Sequence, residues 1–236
     1  CHLFEVEGPQ CFEKLDGMFA AAIWDRRSRK LTLVRDIPGE KPLYYANHPS
    51  GGLVFASEIK AFSGFPGINC TLDRQSLADF PTFLWIPEPQ TAFKEVKALP
   101  KGHYLEISSN SESKALPYQQ YRSPDFFTSE EEAVEEIRKV VDHSIQARLL
   151  SEVDIGAFLS GGLDSSIIAT RASQKLSSLT TFCIGFEVAN DPYHGEADES
   201  AQAEETAKRI GSIHHTIRVS AKDFKDSLES FSWHGD

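Results

Sequence analysis

Residues 153–166 read Val-Asp-Ile-Gly-Ala-Phe-Leu-Ser-Gly-Gly-Leu-Asp-Ser-Ser, an apolar run that ends in two glycines and is followed by a helical pattern. We predict a strand over Asp154–Leu159 and a helix over Leu163–Lys175. Backbone N–H groups freed by adjacent glycines, together with the positive end of the helix, form an anion site. Three serine hydroxyls can add donors: Ser160, Ser165 and Ser166. The stretch therefore predicts a phosphate-binding turn at the carboxyl end of a strand.

This turn also has simpler interpretations. It is not a Walker A loop, because G-x-x-x-x-G-K-[ST] requires a lysine that is absent here. Gly161-Gly162 could form only a tight strand-to-helix turn with a polar cap. The six-residue pattern S-G-G-x-D-S, with a strand before it and a helix after it, favours the anion site. Asp164 is expected to face Mg²⁺ or to orient the loop, because a carboxylate beside a polyphosphate is tolerated mainly in such a role.

The segment 128–236 alternates between helices and strands. Thr128 and Ser129 precede Glu131 and Glu132 in a capping box, which predicts the start of a long amphipathic helix. Beyond the glycines, the predicted elements are strand Thr180–Phe186, helix Glu199–Ile210, strand Ile213–Val219 and helix Ala221–Phe231. This alternation is typical of right-handed crossovers and predicts a parallel α/β sheet with helices on both faces.

The segment 1–107 has short apolar runs closed by turn residues, which predicts antiparallel strands joined by hairpins. The predicted strands are Gly17–Trp24, Leu31–Val34, Leu43–Ala46, Leu53–Ala56, Val96–Leu99 and His103–Ile107, the last two forming one hairpin. A helix is expected over Leu72–Phe83. The segment 108–127 is polar or rich in Tyr and Gln without periodicity, so we expect it to link a first domain, 1–107, to a second, 128–236.

The composition narrows the functional class. Lys and Arg number 24 against 35 Asp and Glu, a formal net charge of −11 over 236 residues, which argues against binding to nucleic acid. The basic run Arg26–Lys30 is interpreted as a solvated hairpin turn. No stretch approaches the roughly 20 apolar residues of a membrane span. The four cysteines are far apart without metal-binding spacing, which fits reduced thiols in a cytoplasmic protein.

Both halves of the sequence resemble one family. The pattern S-G-G-x-D-S at Ser160–Ser165 resembles the PP-loop of ATP pyrophosphatases, and residues 153–166 resemble the synthetase domain of glutamine-dependent asparagine synthetases. The first half is similar to the later part of that family's class II glutaminase domain in Leu15–Ala20, Trp24-Asp25, Arg35–Gly39, Lys41–Tyr45 and Phe55–Ala61. Ile86–Thr91 and Leu99–His103 resemble its inter-domain segment.

The resemblance implies a fold and an activity. The fold would be the C-terminal half of an αββα glutaminase domain of the N-terminal-nucleophile type, followed by the start of a parallel-sheet PP-loop domain (adenine nucleotide α-hydrolase-like). The enzyme would hydrolyse glutamine, adenylate aspartate with ATP and Mg²⁺ to β-aspartyl-AMP, and form asparagine with the released ammonia. A homodimer is also implied. A ligase of the β-lactam synthetase type and a non-catalytic nucleotide-binding module are the alternatives.

The same resemblance assigns residues to the nucleotide. The loop residues expected to hold pyrophosphate are Ser160, Gly161, Gly162, Leu163, Asp164, Ser165 and Ser166. The backbone of Phe158 or Leu159, and that of Ile184, is expected to meet adenine. Glu196–Ser200 is interpreted as an acidic helix cap. His214 and His215 point to opposite faces of a strand, and packing roles are expected for both.

No catalytic residue is assigned within the chain. Cys1 could serve as a terminal nucleophile. In the family, however, that cysteine is followed by Gly and lies far upstream of the Leu-x-Gly-Met-Phe segment, whereas here Cys1-His2 closely precedes it. The family's aspartate-site residues are expected beyond Asp236. We therefore expect an internal fragment with little or no synthetase activity by itself.

Overall fold

The computed structural model describes residues 1–108, 114–119, 127, 129–187 and 198–235. The chain folds as two compact units, the first built on Cys1–Ser123 and the second on Pro124–Ser232. Three parts of the sequence interpretation lie outside the described residues: Thr128 of the capping box, Glu196-Ala197 of the acidic cap, and most of the expected linker. The domain boundaries at 107 and 128 stay predictions.

The first unit contains two antiparallel sheets. Its helices are α1 (His2–Glu7), α2 (Lys60–Ser63) and α3 (Arg74–Phe83), and a 3-10 helix spans Gly8–Lys14. Its strands are β1 (Ala20–Asp25), β2 (Lys30–Arg35), β3 (Tyr44–Asn47), β4 (Leu53–Ala56), β5 (Lys97–Ala98), β6 (His103–Ile107) and β7 (Ala115–Pro117). One sheet has the order β1-β2-β6-β7 and the other the order β4-β3-β5.

The two sheets share a core, and each has helical structure on its outer face. Between them, Leu33 and Leu105 of the first sheet share a buried cluster with Tyr45 of the second. Strand neighbours point to opposite faces. The clusters on the outer faces join Val34 with Phe12 of the 3-10 helix, and Ala46 with Phe62 of α2. The resulting order of layers is helix, sheet, sheet, helix, as expected for an αββα domain.

The predicted hairpin of Val96–Leu99 with His103–Ile107 is wrong. β5 pairs with β3, whereas β6 pairs with β2 and β7, so the chain changes sheets between them. Gly102 adopts φ +66° and its N–H donates to the Asp36 carbonyl, which directs the chain into the first sheet. The expected linker also contributes a strand, because Ala115–Pro117 pairs with β6.

A buried polar centre lies at the end of β2. The carboxylate of Asp36 accepts backbone N–H groups from Phe19, Glu40 and Lys41 at 2.8–3.0 Å. Burial opposes ionisation, but these N–H bonds outweigh it and hold the pKa of Asp36 below its ordinary value. The neighbouring Arg35 guanidinium donates to the Glu88 carboxylate at 2.6 Å and to the carbonyls of Gly39, Lys41 and Leu99.

The second unit is a three-stranded parallel sheet with helices. Its strands are β8 (Gly156–Phe158), β9 (Thr180–Phe186) and β10 (Ile213–Val219), in the order β10-β9-β8. Its helices are α4 (Glu130–Arg148), α5 (Leu163–Ser173), α6 (Ser200–Ile210) and α7 (Ala221–Gly235). The long helix begins where the sequence indicates, because the Ser129 hydroxyl accepts the N–H of Glu132. None of the helices in the described ranges has the length and hydropathy of a membrane span.

The parallel sheet is covered on one face in the described residues, and the prediction of helices on both faces is therefore wrong for this part of the chain. Ala169 and Ala172 of α5 and Ala203 of α6 share one buried cluster with Cys183 of β9. Two right-handed crossovers that step in the same direction along a sheet place both helices on the same side. The opposite face carries exposed apolar side chains: Phe158, Ile184, Phe186, Ile213 and Ile217.

Candidate functional site

The glycine-rich turn lies between β8 and α5, at the carboxyl end of a parallel strand. Leu159 is 1% exposed and its N–H donates to the Phe182 carbonyl at 2.8 Å, which anchors the turn to β9. From Ser160 the chain leaves the sheet, and Leu163 is the first residue of α5. Ligands of open α/β sheets bind at this end of the strands.

Serine hydroxyls hold the turn in shape from within. Ser160 Oγ and Ser165 Oγ are 2.9 Å apart, and Ser165 Oγ also accepts the Ser160 N–H at 3.2 Å. Ser160 Oγ in turn accepts the Gly162 N–H at 3.1 Å. Ser166 Oγ donates to the Gly162 carbonyl at 2.8 Å. The predicted anion-binding hydroxyls thus form a connected network around the loop backbone.

Helix α5 begins without a side-chain cap. Its N-cap is Gly162, which has no side chain to accept an N–H, and no cap hydrogen bond is formed among the described residues. The first N–H groups of a helix have no acceptor within the helix, and they carry the positive end of its dipole. The first turn, Leu163 to Ser165, therefore presents N–H groups that an anion can satisfy.

The two glycines have different structural roles. A Cβ at Gly161 would lie 2.9 Å from Gln202 Cβ and 3.2 Å from Glu199 Cβ, so α6 approaches the loop too closely for a side chain. At Gly162 the φ angle is −72°, which any residue adopts, and a Cβ would meet Ser160 Oγ at 3.1 Å. Gly161 is thus needed for contact between the loop and a helix, a role that the sequence pattern does not indicate.

Acidic side chains lie in the loop region and at the start of α6. Glu199 Oε2 accepts the Gly161 N–H at 3.3 Å, and Asp164 is exposed in the first turn of α5. Asp198 Oδ1 accepts the Ser200 N–H at 3.0 Å and Asp198 Oδ2 lies 3.5 Å from Arg218 Nη1. The Ser200 hydrogen bonds are the main reason that the pKa of Asp198 is lowered. The predicted acidic cap of α6 therefore belongs to Asp198, whereas Glu199 makes no cap bond and turns to the loop.

A metal ion at this site would share its ligands between the protein and a phosphate group. In the described ranges no three His, Cys, Asp or Glu side chains are grouped to hold an ion. Mg²⁺ is commonly held by one or two carboxylates together with substrate phosphates. Asp164, next to the turn and exposed, fits such a role, and its assignment stays a prediction.

The residues expected near adenine divide between the two faces of the sheet. Phe158 and Ile184 lie on the uncovered face, 83% and 54% exposed, whereas the Leu159 side chain is buried against the helices. Phe158 pairs with Phe182, and Ile184 is two residues further along β9, so its side chain lies on the same face of the sheet. Phe182 adds a ring stacked on His215 at 5.4 Å between centroids, which sequence reasoning did not include in the site.

The contacts of His214 and His215 lie within the parallel sheet. His214 Nδ1 lies 2.9 Å from the Thr181 hydroxyl on the helix-covered face, and His215 stacks on the open face, so each makes a packing contact. Cys1 is the exposed N-cap of α1 and makes no side-chain cap bond there.

Two family models match consecutive parts of the chain. Residues 1–122 match a glutamine amidotransferase domain, and residues 136–236 match asparagine synthase. The glutamine-hydrolysing asparagine synthetase 1 of Bacillus subtilis is 32% identical over 94% of this chain and 34% of its own length. A putative glutamine-hydrolysing asparagine synthetase of Mycobacterium bovis is 32% identical over 97% of this chain and 35% of its own. The amidase chyE of Penicillium rubens is 32% identical over 99% of this chain and 36% of its own.

The alignments cover different shares of this chain and of its relatives. The alignments include nearly all of this chain, and the chain spans about a third of the length of the curated relatives it matches.

Proposed function

Because the chain belongs to the asparagine synthase family, with a glutamine amidotransferase domain followed by an asparagine synthase domain, we propose that the protein carrying it amidates aspartate to asparagine with ammonia from glutamine. ATP would first adenylate the aspartate side chain, releasing pyrophosphate. Ammonia would then displace AMP from β-aspartyl-AMP. Activation is needed because a carboxylate is a poor acyl donor until one of its oxygens belongs to a leaving group.

The uncapped start of α5 is the observation that carries this proposal. Its first-turn N–H groups follow a loop whose shape is fixed by Ser160 and Ser165, at the carboxyl end of β8. Positioned N–H groups and a helix dipole stabilise negative charge without reorganisation at the moment of reaction. We assign the β,γ-pyrophosphate of ATP to residues 160–166, which leaves the α-phosphorus open to the attacking carboxylate.

The remaining nucleotide contacts follow from the same placement. Phe158 and Ile184 would contact the adenine ring of ATP at the uncovered face of the sheet. Asp164 would hold Mg²⁺ beside the phosphates. The ion, when bound, neutralises phosphate charge and thereby favours attack by an anionic carboxylate.

A ligase that activates a different carboxylate is the second candidate. A fungal protein named an amidase matches this chain with the same 32% identity as the first asparagine synthetase. The loop would contact only the nucleotide and therefore would not distinguish one carboxylate substrate from another. The described residues therefore favour adenylation as the reaction class more strongly than they favour aspartate as the substrate.

Carboxylate-dependent exchange of labelled pyrophosphate into ATP tests both candidates. The assay uses a protein that carries these residues at the full length of the relatives, with aspartate, glutamate and β-amino acid carboxylates offered separately. Exchange that depends on aspartate is the expected result. Exchange with another carboxylate alone would select the second candidate, and no exchange with any carboxylate, despite ATP binding, would favour a non-catalytic nucleotide-binding module.

A further inference from the structure

One carboxylate of the second unit is hydrogen-bonded to the backbone of residues 160–166, called here the phosphate loop. Three consecutive N–H groups of the loop have acceptors. Those of Ser160 and Gly162 are bound by the loop's own hydroxyls, Ser165 Oγ and Ser160 Oγ. The N–H of Gly161 instead donates to Glu199 Oε2 at 3.3 Å, across 38 positions of sequence.

The position of Glu199 is not explained by the needs of its own helix. It is the N-cap residue of α6, yet its side chain makes no cap hydrogen bond. Asp198 supplies the bond to the first residue of α6, at the Ser200 N–H. The backbones are held close, since a Cβ on Gly161 would lie 3.2 Å from Glu199 Cβ. The carboxylate therefore lies at the loop without serving as the cap of α6.

A carboxylate and a phosphate compete for the same kind of donor. Backbone N–H groups at a loop and helix start bind anions of either type. Two anions that approach one N–H repel each other, and the repulsion is screened by salt when the charges are exposed. Glu199 is exposed, so its carboxylate is free to swing into solvent once the N–H is taken.

We propose that Glu199 is an internal competitor for the phosphate loop. In the free chain its carboxylate occupies the Gly161 N–H, and a polyphosphate oxygen displaces it on binding. This inference rests on the proposed ATP-binding function of the loop. It makes the loop's affinity the difference between two anions, so the binding of polyphosphate is weaker than the bare loop would allow.

Replacing Glu199 by Gln tests the proposal through the sign of the effect. Glutamine keeps the size and an acceptor oxygen but removes the charge. We expect the Glu199→Gln variant to bind pyrophosphate about three- to tenfold more tightly than the parent chain, the factor that corresponds to the net contribution of one exposed hydrogen bond. Titration calorimetry on the purified 236-residue chain, with sodium pyrophosphate and with magnesium pyrophosphate, measures the two dissociation constants.

A matched variant separates this contact from overall charge. Glu205→Gln makes the same charge change on the same helix, at a side chain paired with Arg209 at 2.9 Å. Its affinity for pyrophosphate should stay within twofold of the parent. Raising the salt concentration from 50 to 500 mM should shrink the difference between Glu199→Gln and the parent, because the competing charge is screened.

The outcomes distinguish the inference from the function on which it rests. Tighter binding by Glu199→Gln alone, including binding that only the variant shows, supports the inference. Equal or weaker binding by that variant, with the parent binding pyrophosphate, overturns it and makes Glu199 a structural or ligand-holding residue. Glu199→Ala guards against a peculiarity of the amide and should also bind more tightly. No binding by parent or variants would contradict both the inference and the proposed role of the loop.

Discussion

Adding one methyl group at Gly161 should loosen the contact between the glycine-rich loop, residues 160–166, and α6. In the Gly161→Ala variant the new Cβ would lie 2.9 Å from Gln202 Cβ, where ordinary van der Waals contact begins at 3.4 Å. Neither carbon is at the end of a flexible side chain, so the first turn of α6 must move by several tenths of an ångström. Overpacking of this kind costs about 1–3 kcal/mol.

Gly162→Ala provides the matched comparison one residue away. Its Cβ would meet Ser160 Oγ at 3.1 Å, and the φ of −72° suits alanine. A hydroxyl can rotate, and alanine in place of glycine reduces the entropy of the unfolded chain by a few tenths to about 1 kcal/mol. We expect the stability of the Gly162→Ala variant to lie within about 1 kcal/mol of the parent.

Hydrogen exchange measured by mass spectrometry separates the two variants. Because the chain has two units, a single unfolding midpoint would not isolate the second. In Gly161→Ala, peptides from β8, α5 and α6 should exchange about 5- to 150-fold faster, the factor that corresponds to 1–3 kcal/mol. Peptides from β2 and β6 should be unchanged and serve as the internal reference. Equal exchange in both variants would refute the close approach of α6 as the reason for Gly161.

Two further predictions concern the polar centre of the first unit. A carboxyl whose folded pKa is lowered contributes stability above its unfolded pKa of about 3.9 and loses it as the pH falls through the folded value. The ionised Asp36 carboxylate should therefore stabilise the first unit at pH 7, and Asp36→Asn should lower the free energy of unfolding there by about 1.5–3 kcal/mol. The variant should also lose less stability than the parent below pH 4, which hydrogen exchange of β2 measured from pH 7 to 2 would show. A variant with the parent's pH profile would contradict this. Tyr118 is 6% exposed and its hydroxyl donates to the Arg35 carbonyl at 3.0 Å. Tyr118→Phe should lower the free energy of unfolding by about 1 kcal/mol and speed hydrogen exchange in β2 and β6 about fivefold. Unchanged exchange would show that the hydrogen bond contributes nothing to stability.

The sequence predicted elements well where a local pattern decides them. β9 and β10 have the predicted bounds, Thr180–Phe186 and Ile213–Val219, because β-branched and aromatic residues of high strand propensity are concentrated in them. The start of α4 is set by the Ser129 hydroxyl, which is a local interaction. Gly211, with φ +71°, ends α6 where a glycine after a helical pattern indicates.

Pairing partners were the part that a local pattern could not supply. The runs around Lys97 and His103 are both strand-like and close in sequence, which favours a hairpin, but each has a longer-range partner, in β3 and β2 respectively. β7 has only three residues and ends in Pro117, so the signal of a strand is weak there. The uncovered sheet face depends on the order β10-β9-β8, which alternation of strands and helices does not determine.

The candidate site shows the same division. The glycine-rich turn between β8 and α5 was predicted, because strand, turn and helix are contiguous in sequence, and its assignment to phosphate stays a prediction. The contact of Gly161 with Glu199 was not, because the two residues are 38 positions apart and an acidic residue at a helix start usually acts as a cap. Only the packing of α6 on the loop brings them together.

The most direct test of this account is a competition between ATP and pyrophosphate for the purified chain. Binding of a labelled ATP analogue is measured at fixed Mg²⁺ while pyrophosphate, or AMP, is added. Residues 160–166 should hold the phosphates, so pyrophosphate should displace ATP fully and at lower concentration than AMP, and Gly162→Val, whose side chain would crowd Ser160 Oγ, should abolish binding of both ATP and pyrophosphate. Displacement by AMP but not by pyrophosphate, or ATP binding unaffected by Gly162→Val, would contradict the assignment of the loop as the pyrophosphate site.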